Sequence, residues 1–377
     1  MDIKYFDHAA TTAVAPEVLR EMIPYFSKNY GNASSMYEIA RVSKKAMNEA
    51  RARVAHAIGA SPREIYFTSC GSESDNLAIK GIAYANKEKG KHIITSKVEH
   101  NAVLSSCSRL EEQGFDVTYL NVDEYGFIDL NELENAIREN TILITIMFAN
   151  NEVGTIEPIE DIAKIAHNHN IVFHTDAVQA IGNVRIDVRK MGIDALSMSA
   201  HKFYGPKGIG ALYVKDGIEF QRIQDGGHQE RDKRAGTENV AEIVGIGKAI
   251  ELAYQNFDRH CEYLKSIRDY YISKVEKEIP YAKLNGDRVK RLPGNANFSF
   301  DGLSGEKMLF TLDLHGICAS AGSACATGSL LPSHVLSAMG VPDSLASGTL
   351  RTTFGVENTK EDIDYLVNCL KNIKPNS

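Results

Sequence analysis

The 377-residue sequence contains no tryptophan and only six cysteines. The cysteines are scattered along the chain and no two form a Cys-x-x-Cys pair, so a disulfide framework is not expected. No stretch approaches the roughly 20 apolar residues that a membrane helix needs, and the first residues lack the apolar core and cleavage site of a secretory signal. These absences predict a cytoplasmic globular protein with reduced thiols and no membrane partner.

An excess of positive charge is also missing. Lysine and arginine number 42 against 49 acidic residues, which gives a net charge of −7. Direct nucleic-acid binding is therefore not expected, because it depends on neutralising phosphates with basic side chains. The length predicts two or three domains, or one large α/β domain with a smaller one, at roughly 150 residues per domain.

Two common nucleotide-binding signatures are absent, since the chain has neither Gly-x-x-x-x-Gly-Lys nor Gly-x-Gly-x-x-Gly. A different anion site is indicated by Thr68–Asn76 (TSCGSESDN), where a strand passes through small residues into a helix. The free N–H groups of a helix start bind anions, and Ser72 offers a hydroxyl. The alternative is a plain serine-capped helix.

Strand-like and helix-like patterns alternate through the first two thirds of the chain. The predicted strands are 64–68, 92–96, 141–147, 171–175 and 195–198, and the helices between them include 73–85, 101–113 and 158–169. Such alternation is typical of an α/β domain with a largely parallel sheet. A long helical pattern over 240–279 leads to strands 295–300 and 349–353 and helices 306–314 and 360–373, which indicate a smaller α+β domain.

Ligand sites in parallel sheets lie at the carboxyl ends of the strands. Asp176 ends one predicted strand, and its carboxylate can pair with a positively charged ring nitrogen or cap a helix. Lys202 follows another strand, and a lysine of lowered pKa forms Schiff bases, although most lysines are solvated. His100 follows a third strand and can stack on a flat ring in a chain without tryptophan, or cap or pack in the core. Together with the anion site, these parts match what a pyridoxal phosphate site needs.

The sequence resembles the cysteine desulfurases of the NifS/IscS type nearly end to end. The matching segments are 5–12, 31–35, 68–76, 99–100, 150–154, 174–179, 199–202, 234–238, 323–325 and 350–351. The resemblance implies the α/β fold of fold-type I pyridoxal-phosphate transferases, in the class V aminotransferase family. It also implies a large cofactor domain over 16–257 and a small domain built from 1–15 and 258–377.

The resemblance further implies the role of each site residue. Lys202 holds pyridoxal 5'-phosphate as an internal aldimine and moves the substrate's α-proton, and His100 stacks on the ring and serves in proton transfer. The other implied cofactor contacts are Asp176 at the ring nitrogen, Gln179 and Asn151 near the phenolic oxygen, and Gly71, Ser72, Ser199, His201 and the partner subunit's Thr237 at the phosphate. Arg351, with Asn151, binds the substrate carboxylate, a task that suits a two-pronged guanidinium.

Cys325 has the distinctive role in this family. Its thiolate is implied to take sulfur from L-cysteine, which releases L-alanine and leaves a persulfide. The sulfur then passes to an acceptor such as an iron–sulfur scaffold protein or a thiolation enzyme, and the enzyme acts as a homodimer. Departures from the family pattern are Cys70 in place of a glycine, Tyr37 in place of a histidine, and a short end after the last helix.

Three alternatives remain open at this stage. The chain could be a selenocysteine lyase or another class V pyridoxal-phosphate enzyme, or a sulfur-delivery scaffold with little turnover. A zinc site formed by His315, Cys318, Cys325 and His334 has spacings that fit no standard zinc motif. No metal is therefore expected.

Overall fold

The structure is a computed structural model that describes residues 3–322 and 333–373. Its strands are β1 (Lys4–Tyr5), β2 (Ile65–Thr68), β3 (His92–Ser96), β4 (Asp116–Leu120), β5 (Thr141–Thr145), β6 (Val172–Asp176), β7 (Ala195–Ser199), β8 (Gly210–Val214), β9 (Ala282–Asn285), β10 (Asn295–Phe300), β11 (Ile317–Cys318) and β12 (Thr349–Thr353). Its helices are α1 (Pro16–Met22), α2 (Pro24–Ser27), α3 (Glu38–Ala57), α4 (Gly71–Asn86), α5 (Asn101–Glu111), α6 (Leu130–Ala136), α7 (Ile159–Asn168), α8 (Gln229–Asp232), α9 (Val240–Gln255), α10 (Phe257–Glu278), α11 (Gly305–Leu314), α12 (His334–Ala338), α13 (Asp343–Ala346) and α14 (Lys360–Lys371).

A seven-stranded sheet with the order β2-β8-β7-β6-β5-β3-β4 dominates the first 214 residues. The ladders from β7 to β4 are parallel, and only those of β8 with β2 and β7 are antiparallel. Apolar helices cover both faces, since Leu143 packs in one core with α4 and α5 while Ile144 packs in another with α3 and α9. The predicted α/β class with a mostly parallel sheet is confirmed.

A further core lies beside a three-stranded antiparallel sheet with the order β12-β10-β9. It is formed by apolar side chains from α10, α11, α14 and this sheet, and it also includes Phe6 from the chain start. The adjoining β1 pairs in parallel with β11. The domain boundaries 16–257 and 1–15 with 258–377 stay a prediction, which this shared core supports.

The long helical pattern over residues 240–279 proves to be two helices. The chain breaks at Asn256, whose φ of −116° and ψ of 26° lie outside the helical region, between α9 and α10. Directly after the break, Phe257 stacks on Tyr254 and packs under the guanidinium of Arg185. These ring contacts hold the bend, and hydrophobic periodicity alone does not reveal them.

Five of the six cysteines lie in the described part of the chain and are free thiols: Cys70, Cys107, Cys261, Cys318 and Cys369. Cys325 lies outside the described residues. No helix within residues 3–322 and 333–373 has the length and apolar character required to cross a membrane.

Candidate active site

The carboxyl ends of the parallel strands bring the predicted residues to one edge of the large sheet. β6 ends at Asp176, and β7 ends at Ser199, just before the 3₁₀ turn that carries Lys202. The start of α4 reaches the same edge, because a Cβ atom added to Gly71 would lie 2.7 Å from Val178 and 3.4 Å from Ser199. Glycine is therefore needed at position 71 for this close approach.

The predicted phosphate ligands form an anion-binding corner around the start of α4. Ser199 is buried, and its hydroxyl has no hydrogen-bond partner among the described residues, whereas Ser72 is exposed at the first turn of the helix. The Nδ1 atom of His201 lies 3.1 Å from the hydroxyl of Thr11. Burial, with Lys202 nearby, lowers the pKa of His201 to about 4, so the ring is neutral at physiological pH. A helix start with an unpartnered buried hydroxyl suits a phosphate group.

Cys70 is accommodated at this corner without strain. It precedes α4 with a φ of −173°, an extended conformation that any residue adopts. The thiol is half-buried, and Ser69 Oγ lies 3.7 Å from its sulfur. The glycine of the family pattern is therefore not required by the backbone at this position.

Lys202 is half-buried rather than a freely solvated surface residue. Its Nζ donates hydrogen bonds to the carbonyls of Ala9 and Ala10, the latter at 2.9 Å. The amide of Gln179 donates to the same Ala9 carbonyl at 3.0 Å. The segment around Ala9 therefore links the predicted Schiff-base lysine to the predicted contact of the phenolic oxygen.

Asp176 is buried in the centre of the site. Its carboxylate accepts a hydrogen bond of 2.9 Å from the backbone N–H of Val178, so the expected capping role is present as well. Burial raises the pKa of Asp176, while His100, this N–H group and Lys202 act in the opposite direction. A buried carboxylate that is held by a backbone N–H and lies near a lysine is suited to bind a protonated ring nitrogen.

His100 both caps α5 and borders the site. Its Nδ1 accepts a hydrogen bond of 3.2 Å from the backbone N–H of Ala102. Because Nδ1 is the acceptor, the neutral ring is assigned its proton on Nε2. Burial lowers the pKa of His100, which favours this neutral form. The cap thus fixes the orientation of the ring that is predicted to stack on the cofactor.

Arg351 joins the two ends of the chain beside this edge. Its guanidinium donates to Asp7 Oδ1 at 2.7 Å and to the carbonyl of Asn151 at 3.1 Å, and the residue is only 1% exposed. Its Nε has no hydrogen-bond partner among the described residues. The arrangement brings together both residues that are predicted to bind the substrate carboxylate. It also leaves the Nε–H of Arg351 without a partner among the described residues.

Two predicted residues are not brought into this arrangement. Thr237 is exposed on the segment before α9, and no hydrogen bond of its hydroxyl is present within the described residues. Cys325 lies in residues 323–332, outside the described part of the chain.

The zinc alternative is not supported by the placement of its histidines. His334 Nε2 lies 2.9 Å from the carbonyl of Glu99, and His315 Nδ1 lies 2.8 Å from the carbonyl of Thr311. Within residues 3–322 and 333–373, three potential metal-ligand atoms come together only at Asp75, His100 and Asp176.

Sequence reasoning missed the acidic residues that support the site. Asp75 is 1% exposed, and one oxygen of its carboxyl lies close to both His100 and Asp176, all three atoms being within 4.8 Å of one another. Asp7 holds Arg351. Asp75 follows Gly71 by four residues, which places both on one helix face, and this spacing could have revealed it. No local signal links Asp7 to a residue 344 positions away.

Known proteins resemble this chain over nearly its whole described length. The family model for class V aminotransferases matches residues 4–366. The chain is 57% identical to a cysteine desulfurase IscS of Clostridium botulinum over 98% of this chain and 94% of the relative. It is 54% identical to a cysteine desulfurase IscS of Methanosarcina thermophila over 98% of this chain and 91% of the relative.

Solved structures show the same architecture. A NifS-like protein superposes with a TM-score of 0.93 at 37% identity, covering 98% of both chains. A structure described as SspA in complex with cysteine superposes with a TM-score of 0.84 at 41% identity, covering 94% of this chain and 100% of that one.

Proposed function

The chain belongs to the class V aminotransferase family, is a pyridoxal-phosphate-dependent cysteine desulfurase, and, we propose, carries out this reaction with the residues of the sheet edge. The observation that carries the proposal is the convergence of Lys202, Asp176 and His100 at the strand ends beside the start of α4. The alternatives of a selenocysteine lyase and of a scaffold with little turnover are not favoured by relatives of this identity.

The residues present fit the cofactor. The start of α4 with Ser72, Ser199 and His201 would hold its phosphate, since Ser199 offers a buried hydroxyl without a partner. Asp176 would pair with the ring nitrogen, and His100 would cover the ring. When bound, the cofactor supplies an electron sink for chemistry at the substrate's α-carbon.

Lys202 would bind the cofactor and act as a base. Its Nζ is held by two backbone carbonyls, which orient the amine without neutralising it. Once released from the cofactor, the amine would take the α-proton of the substrate and return a proton to the product. Gln179 shares the Ala9 carbonyl with Lys202 and would contact the phenolic oxygen together with Asn151.

Arg351 and Asn151 would bind the substrate carboxylate. Asp7 already pairs with one terminal nitrogen of the guanidinium, and this ion pair holds the arginine side chain in a fixed orientation. A guanidinium buried to 1% exposure makes stronger charge-assisted hydrogen bonds than one in water.

Sulfur transfer would be completed by Cys325, a role that rests on the family motif at 323–325. Its thiolate would attack the sulfur of bound cysteine, so that a sulfur–sulfur bond forms while the carbon–sulfur bond breaks. The electron pair of the broken bond stays with the carbon skeleton, which takes up a proton and leaves as L-alanine. The enzyme keeps a persulfide.

The setting of the reaction is part of the proposal. The enzyme would act as a homodimer in which Thr237 of each subunit reaches the phosphate of its neighbour, which agrees with the exposure of Thr237 in one chain. The persulfide sulfur would pass to an iron–sulfur scaffold protein or a thiolation enzyme. We place the reaction in the cytoplasm, where thiols remain reduced, because Cys325 must be a free thiol.

The proposal is tested by incubating the purified protein with L-cysteine and measuring alanine and sulfide. Lys202→Ala is expected to lose both the absorbance of the bound cofactor and the activity. Cys325→Ala is expected to keep the absorbance but to form no persulfide, whereas Cys318→Ala, the matched control seven positions earlier, is expected to form it normally. Full sulfide production by Cys325→Ala would contradict the mechanism, and alanine formation from selenocysteine alone would contradict the assigned substrate.

A further inference from the structure

A second buried carboxyl lies beside Asp176, one helical turn beyond the anion-binding end of α4. Asp75 is 1% exposed, and its carboxyl oxygen lies within 4.8 Å of polar atoms of both Asp176 and His100. Two buried carboxyls this close do not both ionise unless a cation compensates each of them. One carboxyl of the pair is therefore protonated while the other is ionised.

Asp75 has no such cation. The nearest basic nitrogen is Nε2 of His174, at 3.9 Å, and no lysine or arginine nitrogen of the described residues lies within 4.0 Å. Both nitrogens of His174 already meet hydroxyls, Nδ1 that of Thr145 at 2.8 Å and Nε2 that of Ser197 at 3.0 Å. Burial lowers the pKa of His174 to about 3, so this ring is neutral.

Burial raises the pKa of both carboxyls, but their other surroundings differ. Oδ1 of Asp75 has no hydrogen-bond partner among the described residues. Burial followed by the charge of Asp176 raises the pKa of Asp75 well above its ordinary range, although a hydrogen bond from Ser197 acts to lower it. Asp176 accepts an N–H hydrogen bond from Val178 and lies near Lys202, and both favour its charged form. Negative charge is thus better accommodated on Asp176 than on Asp75.

We propose that Asp75 is a positioning residue that carries a proton at neutral pH, so that the pair bears one negative charge and that charge stays on Asp176. The proposal rests on the proposed function in one respect, that Asp176 faces the cofactor's ring nitrogen. The titratable groups around Asp75 are Cys70 on its own helix end, Glu99 and His100 after β3, His174 and Asp176 on β6, and Lys202 after β7.

A neutral acid at this position has a specific consequence for the site. It fills the space behind Asp176 with a polar group that carries no charge. An ionised Asp75 would add a second negative charge beside Asp176 and would raise the proton affinity of every nearby group. The protonated form therefore leaves the interaction of Asp176 with the ring as the dominant charge–charge contact.

The protonation state can be measured directly by infrared spectroscopy of the full chain labelled with ¹³C-aspartate. We expect a carbonyl band of a protonated carboxylic acid at pH 7 that shifts with the label, which separates it from Glu99 and Glu157, whose pKa values burial also raises. The band should disappear in Asp75→Asn. A missing band in the wild-type protein, or a label-sensitive band that persists in Asp75→Asn, would overturn the proposal even if the desulfurase activity is normal.

The pH dependence of thermal unfolding gives a second measurement. Because folding raises the pKa of Asp75, its contribution to stability is present at acid pH and is lost as the pH rises toward the folded pKa. Asp75→Asn does not have this loss of stability. The melting temperature of the variant minus that of the wild type should therefore increase as the pH rises through neutrality. The control is Asp194→Asn, at the opposite end of β7, where Lys215 and His167 pair with the carboxylate.

Asp194→Asn is expected to keep the infrared band and to lose melting temperature at neutral pH, since it leaves a lysine without its partner. Parallel pH curves for Asp75→Asn and the wild type would contradict the proposal. Should Asp75→Asn fail to fold, the aspartate-labelled Asp75→Glu variant decides the question, because its acid band should no longer shift with the label.

Discussion

At the scale of single residues, Arg351 shows how one side chain can serve structure and chemistry together. It connects Asp7 with Asn151 after β5, and its Nε has no hydrogen-bond partner among the described residues. A lysine would keep the charge but could not provide two parallel donors.

We therefore expect Arg351→Lys to raise KM for L-cysteine by tenfold or more while the cofactor absorbance persists. A charge-assisted hydrogen bond contributes about 1.5–3 kcal/mol, which corresponds to roughly ten- to hundredfold in affinity. Steady-state kinetics with L-cysteine would measure the change. Arg291→Lys is the control, because the side chain of this buried arginine donates, within the described part of the chain, only to the backbone carbonyls of Asn295, Val153 and Asn285. It should lower stability without changing KM, and an unchanged KM in Arg351→Lys would remove Arg351 from substrate binding.

At the scale of elements, an ion pair connects the first turn of α4 with the segment that carries Thr237. Glu73 accepts the backbone N–H of Ser69 at 2.6 Å and pairs with Arg234, Nε to Oε1, at 2.8 Å. Burial alone would raise the pKa of Glu73, but the hydrogen bonds from Arg234 and Ser69 lower it. The ion pair thus connects the start of the anion-binding helix with Arg234, which precedes Thr237 by three residues.

Arg234→Gln is expected to lower stability by about 1 kcal/mol and cofactor affinity by about fivefold, the range of a partly exposed ion pair. Because folding lowers the pKa of Glu73, the stabilisation exists above the unfolded pKa of about 4.3 and is lost as the pH falls through the folded value. Cofactor titration and thermal unfolding from pH 7 down to pH 3 would measure both effects. Arg222→Gln, which breaks the exposed pair with Asp225, is the control and should change neither quantity. An equal effect of both variants would show that the pair does not act through α4.

The sequence predicts elements best where the local signals agree. β3 and β10 have the predicted bounds because β3 is a short, largely apolar run and β10 (NANFSF) alternates polar and apolar residues, whereas β8 (GALYV) was not predicted and pairs with a strand that precedes it by more than 140 residues. The same difference between local signals and distant contacts holds for the site residues. Asp176, Lys202 and His100 were found because each ends or follows a strand. Asp75 was missed although its helical spacing from Gly71 was available, and Asp7 acts through Arg351, a tertiary neighbour that no local pattern reveals.

At the scale of the whole molecule, the proposed dimer makes a prediction about which chain completes each site. A mixed dimer can be built from one Thr237→Ala subunit and one Lys202→Ala subunit, separated by two affinity tags. Only the Thr237→Ala subunit retains Lys202, so cofactor binding in this dimer reports one site.

If Thr237 acts across the interface, that site receives an intact Thr237 from its partner and should bind the cofactor with wild-type affinity. The Thr237→Ala homodimer should bind at least about tenfold more weakly, as expected for a lost hydrogen bond to a charged group. Absorbance titration with the cofactor measures both. Equal weakness of the mixed dimer and the Thr237→Ala homodimer would show that Thr237 serves its own chain.

The N-terminal segment connects parts of the molecule that are made at very different times. Phe6 packs into the core that contains β12, Ala9 donates its N–H to the hydroxyl of Thr353, and the Ala9 carbonyl receives the amine of Lys202. Ala9 and Thr353 are 344 positions apart in the sequence. During translation, the segment around Ala9 therefore cannot complete its packing until Thr353 has been synthesised, and the carbonyl that holds Lys202 is fixed in place only then.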